Sequence, residues 1–261
     1  MQELIMPFSR EESRKIEEAN YTVSLEHIGA TEEGGQLLDL FDITMDYLDQ
    51  ILIGHKPASD DELTVQTIGA RLFGNSAVAF RDILSGYYQA GFILIGDMIE
   101  THFLLDYFRS FPGKIKEWKA ASNEDRSKNF SPSKIYPQLD ARDGFTGERR
   151  KKTYQLFCEY ARHPTYPSAK LLAKGNIIQV GPFYDETKLE NGLFELNKRL
   201  GLDSLALGIL LRVQGNEEVE KTLAFMGAYG KFFNLPMDKF PAFKTARQLL
   251  AIQKSGIVIP K

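Results

Sequence analysis

The stretch from Tyr87 to Phe111 limits the fold more than any other part of the sequence. Phe92, Ile95, Ile99 and Phe103 recur at helical spacing, and their apolar neighbours widen the face until it covers much of a helix circumference. A helix apolar on so many sides has to pack against several others at once, so this segment is expected at the centre of a bundle. Pro112 and Gly113 end it.

The rest of the chain supplies helices to surround it. Ser9 with Glu12 forms a capping box that opens a first helix running to about His27, with Gly29 as its stop. Leu37, Leu38, Phe41, Met45, Leu48 and Leu52 mark a second, broken by Gly54 and Pro57. A third is expected from Asp60 to Phe73, ending near Gly74 and Asn75, and a fourth from Ser76 through Val78, Phe80, Ile83 and Leu84. A more polar segment holding Trp118 follows the central stretch, and Ser131-Pro132 is a further start signal. Gly144 to Thr146 begins the helix of Tyr154, Phe157, Cys158 and Ala161, which Pro164 ends.

Lys170 to Ala173 and Ile177 to Val180 flank Lys174-Gly175-Asn176 and form the best hairpin candidate, closed by Gly181-Pro182. Helical periods then resume at roughly 186–200, 204–213, 217–232 and 240–254, with an extended tail around Ile257 to Ile259. The expected architecture is all-α, a predominantly antiparallel multi-helix bundle with a small hairpin near 170–180. Residues 1–261 form one domain, with peripheral terminal helices.

Composition narrows the function classes. At 261 residues, 43% hydrophobic and 26% charged, the chain is long enough to bury a core without disulfides or metals. A formal charge of -3 gives no global attraction for nucleic acid. Cys158 is the only cysteine, which excludes an intrachain disulfide, and no signal peptide is visible, so a reducing cytoplasm fits best. Asp97, Glu100 and His102 interrupt the apolar central stretch and argue against a membrane span.

Reaction machinery is sparse. The histidines His27, His55, His102 and His163 are dispersed; Glu100 and His102 sit about 200° apart on a helix, and Glu159 and His163 meet only if the helix continues to Pro164. No paired Glu-x-x-His motifs, no Gly-x-Ser-x-Gly elbow around Ser204 or Ser255, no Walker sequence and no dinucleotide fingerprint at Gly29, Gly34 and Gly35 are present. No cofactor and no metal is expected. Cys158, beside Phe157, reads as core. The run Arg149-Arg150-Lys151-Lys152 could touch phosphates, but Glu148 and Glu159 flank it in an acidic chain, and a solvated helix face is the favoured explanation.

Gln89-Ala90-Gly91-Phe92 through Ile99-Glu100, with Tyr154 to Thr165 downstream, resembles patterns in uncharacterised bacterial all-helical proteins over roughly residues 60 to 200. Some of these resemble HEPN domains, whose ribonuclease members commonly carry Arg-x(4-6)-His. That spacing precedes none of the four histidines here, and Arg162 adjoins His163 directly.

Two readings follow. The favoured one is a helical interaction or regulatory protein, with a homodimer or another protein as partner. Phe232, Phe233, Phe240 and Phe243 either complete an intermolecular bundle face or close the chain's own C-terminal core. The alternative is a metal-independent HEPN-like ribonuclease acting on RNA. There His163 would exchange a proton, Arg162 and nearby cations would stabilise phosphate charge, and Tyr154 would position the substrate.

Overall fold

A computed structural model describes residues 9–211 and 216–236. They form the expected helical bundle with one small antiparallel hairpin. The helices are α1 (Arg10–Gly29), α2 (Glu32–Ile53), α3 (Asp60–Leu84), α4 (Tyr88–Ser110), α5 (Gly113–Ala120), α6 (Asn123–Phe130), α7 (Pro132–Arg142), α8 (Arg149–Phe157), α9 (Glu186–Leu210) and α10 (Asn216–Phe232). A π-helical turn, Cys158–Arg162, continues α8, and a 3-10 segment, Pro167–Leu172, leads into β1 (Ala173–Lys174) and β2 (Ile177–Ile178).

Local chemistry fixes the helix starts. Side chains of Ser9, Thr31, Ser59, Ser122 and Asp185 each accept from the backbone N–H three residues on, satisfying a donor that the helix leaves open. At Ser59 the cap is reinforced because Glu62 Oε2 accepts from Ala58 N–H at 2.7 Å. α4 starts without a side-chain cap and is held by burial instead.

α4 is the hub. Its residues Gly91, Ile95, Met98, Ile99, Phe103, Leu105 and Phe108 are all buried, and it packs most extensively on α9 and α3. α5, α7 and α8 pack against α4 and α6 packs against α7, while α2 is covered by α10 and α9. The hydrophobic core is one continuous cluster through these helices.

Four boundaries differ from the sequence reading. Residues 60–73 and 76–84 are one helix, because Gly74 and Asn75 do not break it: Ser76 Oγ donates to the Leu72 carbonyl and Asn75 Nδ2 donates to Asp97 on α4. Residues 186–200 and 204–210 are likewise continuous, since Gly201 is the seat of the Tyr229 ring rather than a stop. The helix expected from Gly144 starts only at Arg149, after Gly144 at φ +69° and Glu148 at φ +49° turn the chain. Finally, Lys170 to Leu172 lie in the 3-10 segment, so β1 holds only Ala173 and Lys174.

Phe232 and Phe233 pack within the chain, with Phe233 edge-on to Phe194 at 5.5 Å and close to Tyr229 at 4.7 Å. Phe240, Phe243, the 240–254 helix and the Ile257 to Ile259 tail lie outside the described residues. Among the described residues no helix is long and apolar enough to cross a membrane.

Candidate functional site

Glu100 collects the sequence candidates on one side of α4. Tyr154 Oη donates to Glu100 Oε1 at 3.0 Å, and Arg162 Nη1 donates to the same oxygen. Arg162 reaches it by crossing α4 at Gly96, where an added Cβ would lie 3.0 Å from Arg162 Cδ. The π turn makes this approach possible. Inserting one residue into the helical ladder, with His163 N–H donating to the Cys158 carbonyl at 2.9 Å, rotates Arg162 towards α4 and His163 outward.

Both candidates are therefore engaged. Burial, a hydrogen bond with Cys158 and the Glu100 charge all hold the Tyr154 phenol above its ordinary range, so at neutral pH it is a protonated donor. Burial opposes the Arg162 charge, but Glu100 outweighs it and the guanidinium stays ionised. His163 is exposed, stands apart from this cluster, and its ring has no hydrogen-bond partner among the described residues. The structure thus joins Tyr154 with Arg162 and separates His163 from both. Cys158 is half-buried beside them rather than a core residue.

The basic run is neutralised in part. Arg150 Nη1 donates to Asp140 Oδ1 at 2.8 Å and its Nη2 to Asp143 Oδ2. Arg142 binds Asp106 through two nitrogens at 2.9 Å each, and Arg109 joins the same carboxylate. Burial would raise the Asp106 pKa, but Arg142 and Arg109 outweigh it and hold the carboxyl below its usual range. Arg142, with Arg150, takes Asp143 down to about 2. Lys151 pairs with Glu148 at 2.8 Å, Arg149 lies over Phe145, and Lys152 is exposed.

A pair that sequence reasoning did not connect lies between α4 and α9. His102 Nδ1 sits 3.1 Å from Asp203 Oδ1, while Asp203 is fully buried and its Oδ2 has no hydrogen-bond partner. Burial pushes Asp203 up to about 6, against the pull of His102. The 101-residue separation left no local signal. Among the described residues, no group of three or more His, Cys, Asp or Glu side chains could hold a metal ion.

An open cleft of about 680 Å³ among α5, α6 and α7 is lined by Tyr107, Phe130 and Gln138, with Lys114, Glu117 and Asp125 at its edge. Lys114 and Glu117 pair with each other at 2.6 Å and Asp125 accepts from Ser122 Oγ at 2.8 Å.

The surface is different in kind around the hairpin. Val180 is 100% exposed, Tyr166 91%, Ile177 69% and Ile178 60%, the most exposed large apolar side chains among the described residues apart from Ile53 at 77%. Comparison with protein-family models, curated proteins and solved structures found no match to this chain.

Proposed function

We propose that the protein is a helical interaction module that docks a protein partner on its 160–184 segment. The observation that carries this reading is the run of highly exposed apolar side chains at Tyr166, Ile177, Ile178 and Val180, four residues within fifteen positions, each at least 60% exposed. Monomeric proteins seldom leave such side chains clustered in water, and a partner that covers them gains the burial that folding did not.

The interior argues in the same direction. Tyr154 and Arg162 satisfy Glu100, and Arg142 and Arg150 satisfy three aspartates, so these cations act as braces between helices. A ribonuclease reading would require Arg162 to leave Glu100 and His163 to turn back towards Tyr154, against the direction the π turn imposes.

The experiment is site-specific photocrosslinking in cells, with p-benzoylphenylalanine at position 177 and, as control, at the exposed position 128. A discrete adduct from 177 alone, whose identified partner then binds the purified protein, is expected. No adduct above the control would contradict the reading. So would specific cleavage of labelled single-stranded RNA by the wild type that disappears in a folded His163→Ala variant.

A further inference from the structure

The hairpin offers a partner more than apolar contact. Lys174 pairs with Ile177 and Ala173 with Ile178, around a two-residue turn in which Gly175 takes φ +59°. The next ladder bond is Gln179 N–H to the Leu172 carbonyl at 2.8 Å. In an antiparallel ladder, hydrogen-bonded and non-hydrogen-bonded pairs alternate. Lys174 with Ile177 and Leu172 with Gln179 are bonded pairs, so Ile178 lies between them in a non-bonded one. Its N–H and C=O point away from β1, and the same alternation continued past Gln179, beyond the end of β2, would turn those of Val180 outward. Outside the hairpin ladder itself, no backbone hydrogen bond to Ile178 or Val180 is seen among the described residues.

An edge strand of this kind is a template for a further strand unless it is blunted. The usual protections are charged side chains, a proline or a covering element. None falls between Ile177 and Val180, whose residues are Ile, Ile, Gln and Val; Pro182 comes only after Gly181 has turned the chain at φ +94°.

Charge defines the occupant. From Tyr160 to Tyr184 the chain has no aspartate or glutamate, yet it holds Arg162, His163, Lys170 and Lys174. Arg162 is committed to Glu100. Lys170 lies over the Tyr160 ring and Lys174 donates to the Tyr184 carbonyl at 3.0 Å, but neither forms an ion pair among the described residues. The adjacent carboxylate, Asp185, binds the ammonium of Lys188 at 2.8 Å and its backbone N–H at 3.0 Å, and against burial the Lys174 charge helps Lys188 hold it below its usual range. Lys174 stands directly across the ladder from Ile177, beside the face that an added strand would extend.

We infer that the open edge of β2 receives an extended, acidic segment of a partner protein by strand addition. Main-chain bonds to Ile178 and Val180 supply register, alternate apolar side chains cover the exposed isoleucines and valine, and carboxylates meet Lys170 and Lys174. This inference rests on the docking function proposed above and specifies its partner.

The test uses two fluorescent ten-residue peptides, one alternating glutamate with valine and the other lysine with valine, titrated with the full chain. The acidic peptide is expected to bind at least tenfold more tightly. Val180→Pro removes an outward N–H that no intramolecular bond uses, and should weaken binding at least tenfold with an unchanged melting temperature. Lys170→Glu with Lys174→Glu should reverse the peptide preference. Equal binding of both peptides, or an unaltered affinity in folded Val180→Pro, would overturn the inference. Sedimentation showing that self-association already fills the edge would overturn it too, by making a second copy the occupant. A photocrosslink at position 177 that survives Val180→Pro would leave the docking function standing and strand addition refuted.

Discussion

Glu100 shows how a side chain can look chemical in sequence and be structural in the fold. It receives the Tyr154 hydroxyl and the Arg162 guanidinium on one oxygen, tying α8 and the π turn to the central helix. Glu100→Gln keeps the shape but removes the charge, leaving Arg162 part-buried without its counter-ion. The expected loss is about 1–2 kcal/mol of unfolding free energy, read by urea denaturation. Asp203 behaves oppositely. Its folded pKa of about 6 lies above the ordinary 3.8, so the folded state holds its proton more tightly than the unfolded one. This contribution to stability is complete below the ordinary carboxylate range and is lost as pH rises through about 6. Asp203→Asn is expected to flatten that decline, which is on the order of 3 kcal/mol, in denaturation midpoints measured across the same range. An unchanged slope would place the titration elsewhere. Tyr154 and Arg162 were visible as candidates because their segment is dense in polar groups. Glu100 as their shared partner, and Asp203 as the partner of His102, were not, because each contact joins residues more than 50 positions apart.

At the scale of the element, glycine separates what periodicity reveals from what it hides. Gly74, which reads as a helix stop, and Gly201, which falls between two expected helices, both lie within continuous helices, for different reasons. Gly74 faces open space in α3, whereas an added Cβ at Gly201 in α9 would overlap the Tyr229 ring. Gly74→Ala is therefore expected to raise stability by about 0.5–1 kcal/mol through helix propensity. Gly201→Ala should lower it by about 1–3 kcal/mol through overpacking. Thermal unfolding of the two variants side by side checks both signs, and a stabilised Gly201→Ala would contradict the packing of α10 on α9. Helix existence was legible from the spacing of apolar residues in α2 and α4, from the cap at Ser9 and from Pro132 at the start of α7, where Ser131 itself makes no side-chain cap bond. Continuity through Gly74 and Gly201 was not, because it depends on neighbouring helices. The π turn at Cys158–Arg162, which settles where Arg162 and His163 point, has no sequence signature of its own.

For the whole molecule, the core is closed on itself through one continuous cluster while the hairpin is left open. The sequence placed a hairpin at Lys174-Gly175-Asn176 from its turn chemistry, but the exposure of Ile177, Ile178 and Val180 depends on what packs nearby, and alternation within six residues could not reveal it. Replacing all three by serine is expected to leave the melting temperature within about 2 °C, as surface changes away from packing generally do, while abolishing partner docking. A large destabilisation would mean the hairpin is covered by the chain itself. Amide hydrogen exchange measured residue by residue tests the open edge of β2 most directly. In the free protein, the amides of Ile178 and Val180 are predicted to exchange at unprotected rates while that of Gln179, bonded to the Leu172 carbonyl, is slowed; saturation with the acidic peptide should then protect Ile178 and Val180. Protection of both amides before any partner is added, or no protection after it, would contradict the account.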